Sequence, residues 1–158
     1  MKLSENFTWE EFVYSDTANM KGIKNDFRVP DQYKENAKTL CQRVLQRVRN
    51  RFGPIIISSG YSCPELARAL GRGKNSQHNF GQAADIVSRH YPNLEIAHWI
   101  KDNLEFDQLI YEQRTRKSGE KYDWVHVSWN NKEENRNEIL TSPIGGGYQR
   151  GLPELKRG

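Results

Sequence analysis

The chain contains no run of the ~20 consecutive apolar residues needed to cross a bilayer, and only two cysteines and four histidines among its 158 residues. Two cysteines are too few for the disulfide framework of a small stapled domain. The opening Met1-Lys2-Leu3-Ser4-Glu5-Asn6 has no apolar core behind its basic start, so it does not read as a secretory signal. Reduced thiols are then the expectation for Cys41 and Cys63. Cys41 falls on an apolar helical stripe and reads as a small hydrophobe. Cys63 precedes Pro64 at a helix start, where a thiol can be activated, but nothing places a histidine beside it. Internal repeats and low-complexity tracts are absent. So is the interleaved basic and aromatic pattern of nucleic-acid modules, and no nucleic-acid partner is expected. The formal charge of +4 reads as ordinary solubilising charge, with Arg43, Arg47, Arg49 and Arg51 on the solvated face of a helix.

What is present describes a globular protein. Hydrophobic residues make up 35%, charged residues 28% and aromatics 11%. The length suits one domain spanning 1–158, and a monomer is expected. Thr8-Trp9-Glu10-Glu11 is a capping box that opens a short helix. Residues 15–30 are turn-rich and read as a surface loop. Between Asp31 and Arg51, the residues Tyr33, Ala37, Leu40, Cys41, Val44, Leu45 and Val48 recur on one helical face. Gly53 provides a stop. Short strands are expected at 55–58, 83–87, 108–111 and 124–129, with helices starting at Pro64 and spanning 94–104. The order lacks strict alternation, so the fold class is α+β, a largely antiparallel sheet flanked by helices. The core is expected over about 6–130. Residues 140–158, with Gly145-Gly146-Gly147 and Pro153, read as an irregular tail.

The chemistry concentrates in two segments. In Ser76-Gln77-His78-Asn79-Phe80-Gly81-Gln82-Ala83-Ala84-Asp85, a loop histidine precedes a strand aspartate by seven residues. A carboxylate among small apolar residues needs a partner, because an unpaired buried charge is costly. A metal ion is one such partner and a salt bridge another. In Asp123-Trp124-Val125-His126-Val127-Ser128-Trp129, alternation puts His126 and Ser128 on one face and Val125, Val127 and Trp129 on the other. Two histidines and one carboxylate form a catalytic zinc set with an open position, and a further carboxylate can act as general base. Asp123 is the candidate, provided the chain bends before Trp124, since i and i+3 otherwise face apart. His90, in a turn beside Tyr91-Pro92, and His98, on a helix flank, read as ordinary surface residues.

Ser76-x-His78-x-x-Gly81-x-Ala83-x-Asp85 resembles the S-x-H-x-x-G-x-A-x-D signature of the zinc D-Ala-D-Ala carboxypeptidases and related phage endolysins. Asp123-Trp124-x-His126-Val127-Ser128 resembles their later acid-x-x-His element. Ile56-Ile57-Ser58-Ser59-Gly60-Tyr61 and Cys63-Pro64-Glu65-Leu66 resemble the segment that precedes the metal motif, and Asn6-Phe7-Thr8-Trp9-Glu10-Glu11-Phe12 the start of small members. The resemblance covers about residues 6–130. It implies a Hedgehog/DD-peptidase-like fold, one Zn2+ held by His78, Asp85 and His126, and Asp123 as base. The implied activity is that of a metallopeptidase cleaving peptidoglycan stem or cross-link peptides, as carboxypeptidase or endopeptidase. A phage lysis or entry enzyme, synthesised in the cytoplasm and acting on the cell wall, fits this reading. Tyr61, Ser76, Gln77 and Arg68 are candidate substrate contacts. Where the family commonly carries an arginine after Gly-Tyr, this chain has Ser62, and Arg68, Arg72 or Lys74 are the cations near enough in sequence to replace it. A non-catalytic wall-binding or virion module that keeps the fold is the alternative. A non-haem iron oxygenase also uses two histidines and a carboxylate, but it leaves Asp123 without a role.

Overall fold

The computed structural model describes residues 1–156 and has the expected class: a mixed α/β fold whose sheet is mostly antiparallel and flanked by helices. The chain opens with a small hairpin, β1 (Lys2–Ser4) and β2 (Phe7–Thr8), that leads into α1 (Trp9–Val13). Thr8 caps α1 through the predicted capping box. The stretch 15–30, expected as loop, contains a further helix, α2 (Asp16–Lys21). Ser15 accepts the Ala18 amide at its start, and Gly22 closes it at φ 67°. These are local cap signals that a polar composition conceals.

The long predicted helix is continuous but not uniform. It comprises α3 (Asp31–Leu40), a π-helical turn at Cys41–Leu45, and α4 (Gln46–Phe52). The widened turn buries Cys41, Val44 and Leu45 together and directs Gln46 to the β1–β2 turn. There Gln46 Oε1 accepts from Ser4 Oγ (2.8 Å) and the Asn6 amide (2.9 Å). Leu40, Val44, Leu45 and Val48 are fully enclosed, each adding roughly 1.5–3 kcal/mol by burial.

The main sheet has six strands in the order β3-β4-β6-β5-β7-β8. They are β3 (Ile55–Ser59), β4 (Ala83–Ser88), β5 (Gln108–Thr115), β6 (Lys121–Ser128), β7 (Glu138–Ser142) and β8 (Gln149–Arg150). Among the described residues, only the β5–β7 pairing is parallel. Between β3 and β4 lies α5 (Pro64–Ala69), and between β4 and β5 lies α6 (Asn93–Asn103). Ala84, Ile86, Val125, Val127 and Leu109 share the sheet face that packs with the helices into the main core. The opposite face carries Asp85, His126, Glu112 and Arg114 beside Ile110 and Trp124.

The strands depart from the expectation in two regions. β5 and β6 form a hairpin that continues to Thr115 and Lys121, well past the apolar runs. Part of the expected tail is also built into the sheet. β7 reaches Ser142, with Thr141 and Ser142 buried, and β8 pairs back onto it. Backbone pairing drives both extensions, and side-chain hydrophobicity does not report it.

Candidate metal centre

His78 sits on a single 3-10 turn, Gln77–Phe80. The turn ends at Gly81 for a physical reason. Gly81 has φ 72°, and a Cβ there would lie 2.3 Å from the Tyr33 carbonyl oxygen. Only glycine permits both the left-handed backbone and the close approach to α3. Asn36 adds a second clamp, donating to the Phe80 carbonyl at 2.9 Å. His78 itself is 4% exposed. Its Nδ1 donates to the Gly60 carbonyl at 2.8 Å, which leaves Nε2 unprotonated and pointed at Asp85. Gly60 is constrained by contact alone, because a Cβ there would lie 2.2 Å from the Phe12 carbonyl oxygen.

Asp85 and His126 are direct cross-strand partners on β4 and β6. Both face the open side of the sheet. Asp85 Oδ1 lies 3.0 Å from His126 Nδ1 and 3.4 Å from His78 Nε2. One donor atom from each residue falls within a group spanning at most 4.8 Å. Tetrahedral ligands held at ~2.0–2.2 Å from one ion stand about 3.3–3.6 Å apart, near the 3.0 and 3.4 Å separations from Asp85, so the donor set could hold a zinc ion.

Burial alone would raise the Asp85 carboxyl, but His78 and His126 outweigh it and hold the group well below the usual carboxylate range. Burial pushes the His78 imidazole down, against the pull of Asp85. Both shifts favour the metal-ready forms, an ionised carboxylate and a neutral imidazole.

The three residues line a cavity of about 530 Å³ together with Ser76, Gln77, Ile110, Glu112, Arg114 and Trp124. Register explains this membership. Ile110 pairs with His126 and Glu112 with Trp124, so these side chains stand on the His126 face. Glu112 was not anticipated from sequence, since the predicted strand ended at Tyr111; the alternation Ile110, Glu112, Arg114 was the available signal. Burial pushes the Glu112 carboxyl up and Asp85 adds to the rise, with His126, Trp124 and Arg114 pulling partly back.

Asp123 is placed elsewhere. The bend required before Trp124 does not exist, because β5 and β6 stay in unbroken register from Leu109↔Val127 to Thr115↔Lys121. Asp123 therefore faces the helix-covered side of the sheet. Its carboxylate accepts from Tyr111 Oη and from Asn93 Nδ2 at 2.9 Å, and Asn93 also accepts the Ser88 amide at 2.9 Å. This network ties the start of α6 to the sheet.

The other expected contacts divide. Ser76 and Gln77 line the cavity, and Gln77 donates to Asp107 at 2.9 Å. Tyr61 lies in the core beside Trp9 and Tyr33, with ring centroids 5.9 and 6.1 Å away. Arg68 is exposed on α5, outside the cavity lining. Ser62 is buried beneath the metal loop, donating to Asn79 Oδ1 at 2.8 Å. Of the cations near it in sequence, Arg72 reaches the cavity, and Lys74 stays exposed outside it. Tyr148, from the segment expected as tail, stands on the cavity rim.

Two imidazoles and one carboxylate on a sheet and a braced turn, with a second carboxylate beside them, form the donor arrangement of a metal-dependent hydrolase. The chain belongs to the Peptidase M15 family, whose model matches residues 5–128. That span takes in His78, Asp85, Glu112 and His126 and ends at the last residue of β6. The fold and the family together define a metallopeptidase. No curated protein matches the chain by sequence. Among the described residues, no helix is long and apolar enough to cross a membrane.

Proposed function

We propose that this protein is a zinc peptidase that hydrolyses a peptide bond in the stem or cross-link peptides of bacterial peptidoglycan. The observation that carries the reading is that His78, Asp85 and His126 each bring one donor atom within 4.8 Å of the others, in a cavity whose wall also holds Glu112. Zinc, when bound, supplies Lewis-acid polarisation of the scissile carbonyl and lowers the pKa of water toward neutrality. His78, Asp85 and His126 are the residues that would hold it.

Glu112 takes the role of general base in this reading. It shares the His126 face of the sheet and lines the same cavity as His78 and Asp85, where a carboxylate can accept a proton. Its carboxylate receives a proton from the attacking water and returns it to the leaving amine. Asp123 is separated from that site by the sheet and serves α6 instead. The rigid β5–β6 pairing holds Glu112 beside the His126 strand, which supports catalysis by positioning.

The test is mass spectrometry of purified muropeptides after incubation with the protein, with and without a chelator. New peptide ends that vanish on chelation are expected, and they name the bond. Cleavage that survives full zinc removal would overturn the mechanism. Zinc-loaded protein that cleaves neither monomeric nor cross-linked muropeptides would overturn the activity.

A further inference from the structure

Three arginines border the metal-binding cavity: Arg72, Arg114 and Arg136. Two of them are engaged within the protein. Arg136 forks onto Asp107, with Nε 3.0 Å from Oδ1 and Nη2 3.0 Å from Oδ2. Arg114 donates to Ser142 Oγ at 3.1 Å, stands 3.6 Å from Glu112, and lies over the Trp124 ring at 5.4 Å.

Arg72 differs. Its Nη2 donates to Ser59 Oγ at 2.8 Å and stands 3.7 Å from Asp85 Oδ2, close enough for ionic attraction but too far for a hydrogen bond. Its Nη1 is enclosed and has no hydrogen-bond partner among the described residues. A guanidinium carries five donors and no means of shedding its charge, and an enclosed donor without an acceptor is costly. The side chain is only 17% exposed. Its backbone is also pinned. The Arg72 amide donates to the Ala67 carbonyl at 2.9 Å, closing the end of α5 in the manner of a helix C-terminal cap.

The charge balance sharpens the point. Asp85 is the nearest counter-charge to Arg72. Once Asp85 is committed to a divalent cation, Arg72 keeps only Glu112 as a further counter-charge, its Nη1 donor stays unspent, and the side chain still lines the cavity. Buried charge in that condition calls for an anion from outside.

We propose that Arg72 contacts the substrate, receiving an anionic oxygen of the bound peptide beside the metal. The inference rests on the peptidase reading above. The anion has two sources of the same chemistry. One is a free C-terminal carboxylate. The other is the oxyanion that develops at the scissile carbonyl.

The experiment is calorimetric titration of zinc-loaded protein in a Glu112→Gln background, so that no ligand is turned over. The probes are an N-acylated D-alanyl-D-alanine peptide, its C-terminal amide, and a phosphinate analogue with tetrahedral phosphorus in place of the scissile carbonyl. Adding Arg72→Gln is expected to weaken an anionic probe by roughly tenfold or more, as for other charge-assisted contacts. Loss confined to the free acid assigns the terminal carboxylate, and loss confined to the phosphinate assigns the oxyanion. The amide should not respond in the first case. Zinc affinity, measured by chelator competition, should stay within a few-fold. Arg72→Lys keeps the charge without the planar fork and should recover only part of the affinity; if Arg72→Gln does not fold, this variant must show the loss alone. The proposal is overturned if both anionic probes bind the variants as tightly as the parent. It is equally overturned if weaker zinc binding accounts for the whole loss, which would make Arg72 a prop for Asp85. Failure of the peptidase reading would show separately, as absent muropeptide cleavage by protein with its native Glu112.

Discussion

Glu112 and Asp123 lie on opposite faces of one β-hairpin, although Glu112 pairs across the strands with Trp124, the residue next to Asp123. One step along a strand reverses the direction of a side chain. That reversal separates a carboxylate on the metal face from one bonded to Tyr111 and Asn93 beneath the helices.

The two carboxylates therefore predict opposite phenotypes. Glu112→Gln should retain zinc and lower kcat by about 10²–10⁴, the usual range for a general base. Asp123→Asn should keep kcat within a few-fold but lose about 1–3 kcal/mol of stability, as Tyr111 and Asn93 lose a charged acceptor. Steady-state kinetics beside denaturant melts decide the matter. The reverse pattern would return the base to Asp123.

Metal retention should track the three convergent side chains. His78→Ala and Asp85→Asn should each strip bound zinc, read by elemental analysis of dialysed protein. Chelation of the parent protein should lower its melting temperature, because an ion that binds only the folded state stabilises it by about 4 kcal/mol when present at a thousand times its Kd. An unchanged melting temperature after complete removal would mean that the ion is not linked to the fold.

Gly81→Ala should be among the most damaging single changes on the molecule. The new Cβ meets the Tyr33 carbonyl at 2.3 Å, on a backbone already at φ 72°. Either the 3-10 turn or α3 has to move, and His78 rides on that turn. We expect more than about 2 kcal/mol of destabilisation and weaker zinc binding. Gly22→Ala, also at positive φ but with open space around it, should cost less and leave zinc affinity intact.

Asp107 should contribute a pH-dependent term to stability. Burial alone would raise its carboxyl, but hydrogen bonds from Arg136 and Gln77 outweigh this and hold it below the ordinary value. A depressed folded pKa gives stability that is present above the unfolded value, near ~3.9, and is lost as pH falls through the folded value. The stability gap between the parent and Asp107→Asn should thus be full at neutral pH and shrink below about pH 4. Urea melts at a series of pH values test it. A gap that is constant down to pH 2 would contradict the assignment.

Several features were legible in the chain because they are local. The capping box at Thr8 and Glu11, the apolar stripe from Tyr33 to Val48, and the alternation around His126 each report short-range geometry. The helix at 16–21 and the strand at 138–142 escaped notice because a cap or a backbone ladder holds them, with little apolar signal.

The sequence by itself pointed to His78, Asp85 and His126 as a group that could hold a metal. The spacing from His78 to Asp85 and the facing of His126 follow from residue order and strand periodicity. It also determined the family, since the motifs that carry the resemblance lie within the matched span. Tertiary structure alone decided which acid joins them and which cation stands near. Glu112 reaches the site through the register of β5 on β6, and Arg72 through the turn that ends α5. Register and loop path are properties of the packed sheet. A side chain one residue away can be on the wrong face, and one thirteen residues away can be at hand: Arg72 beside Asp85.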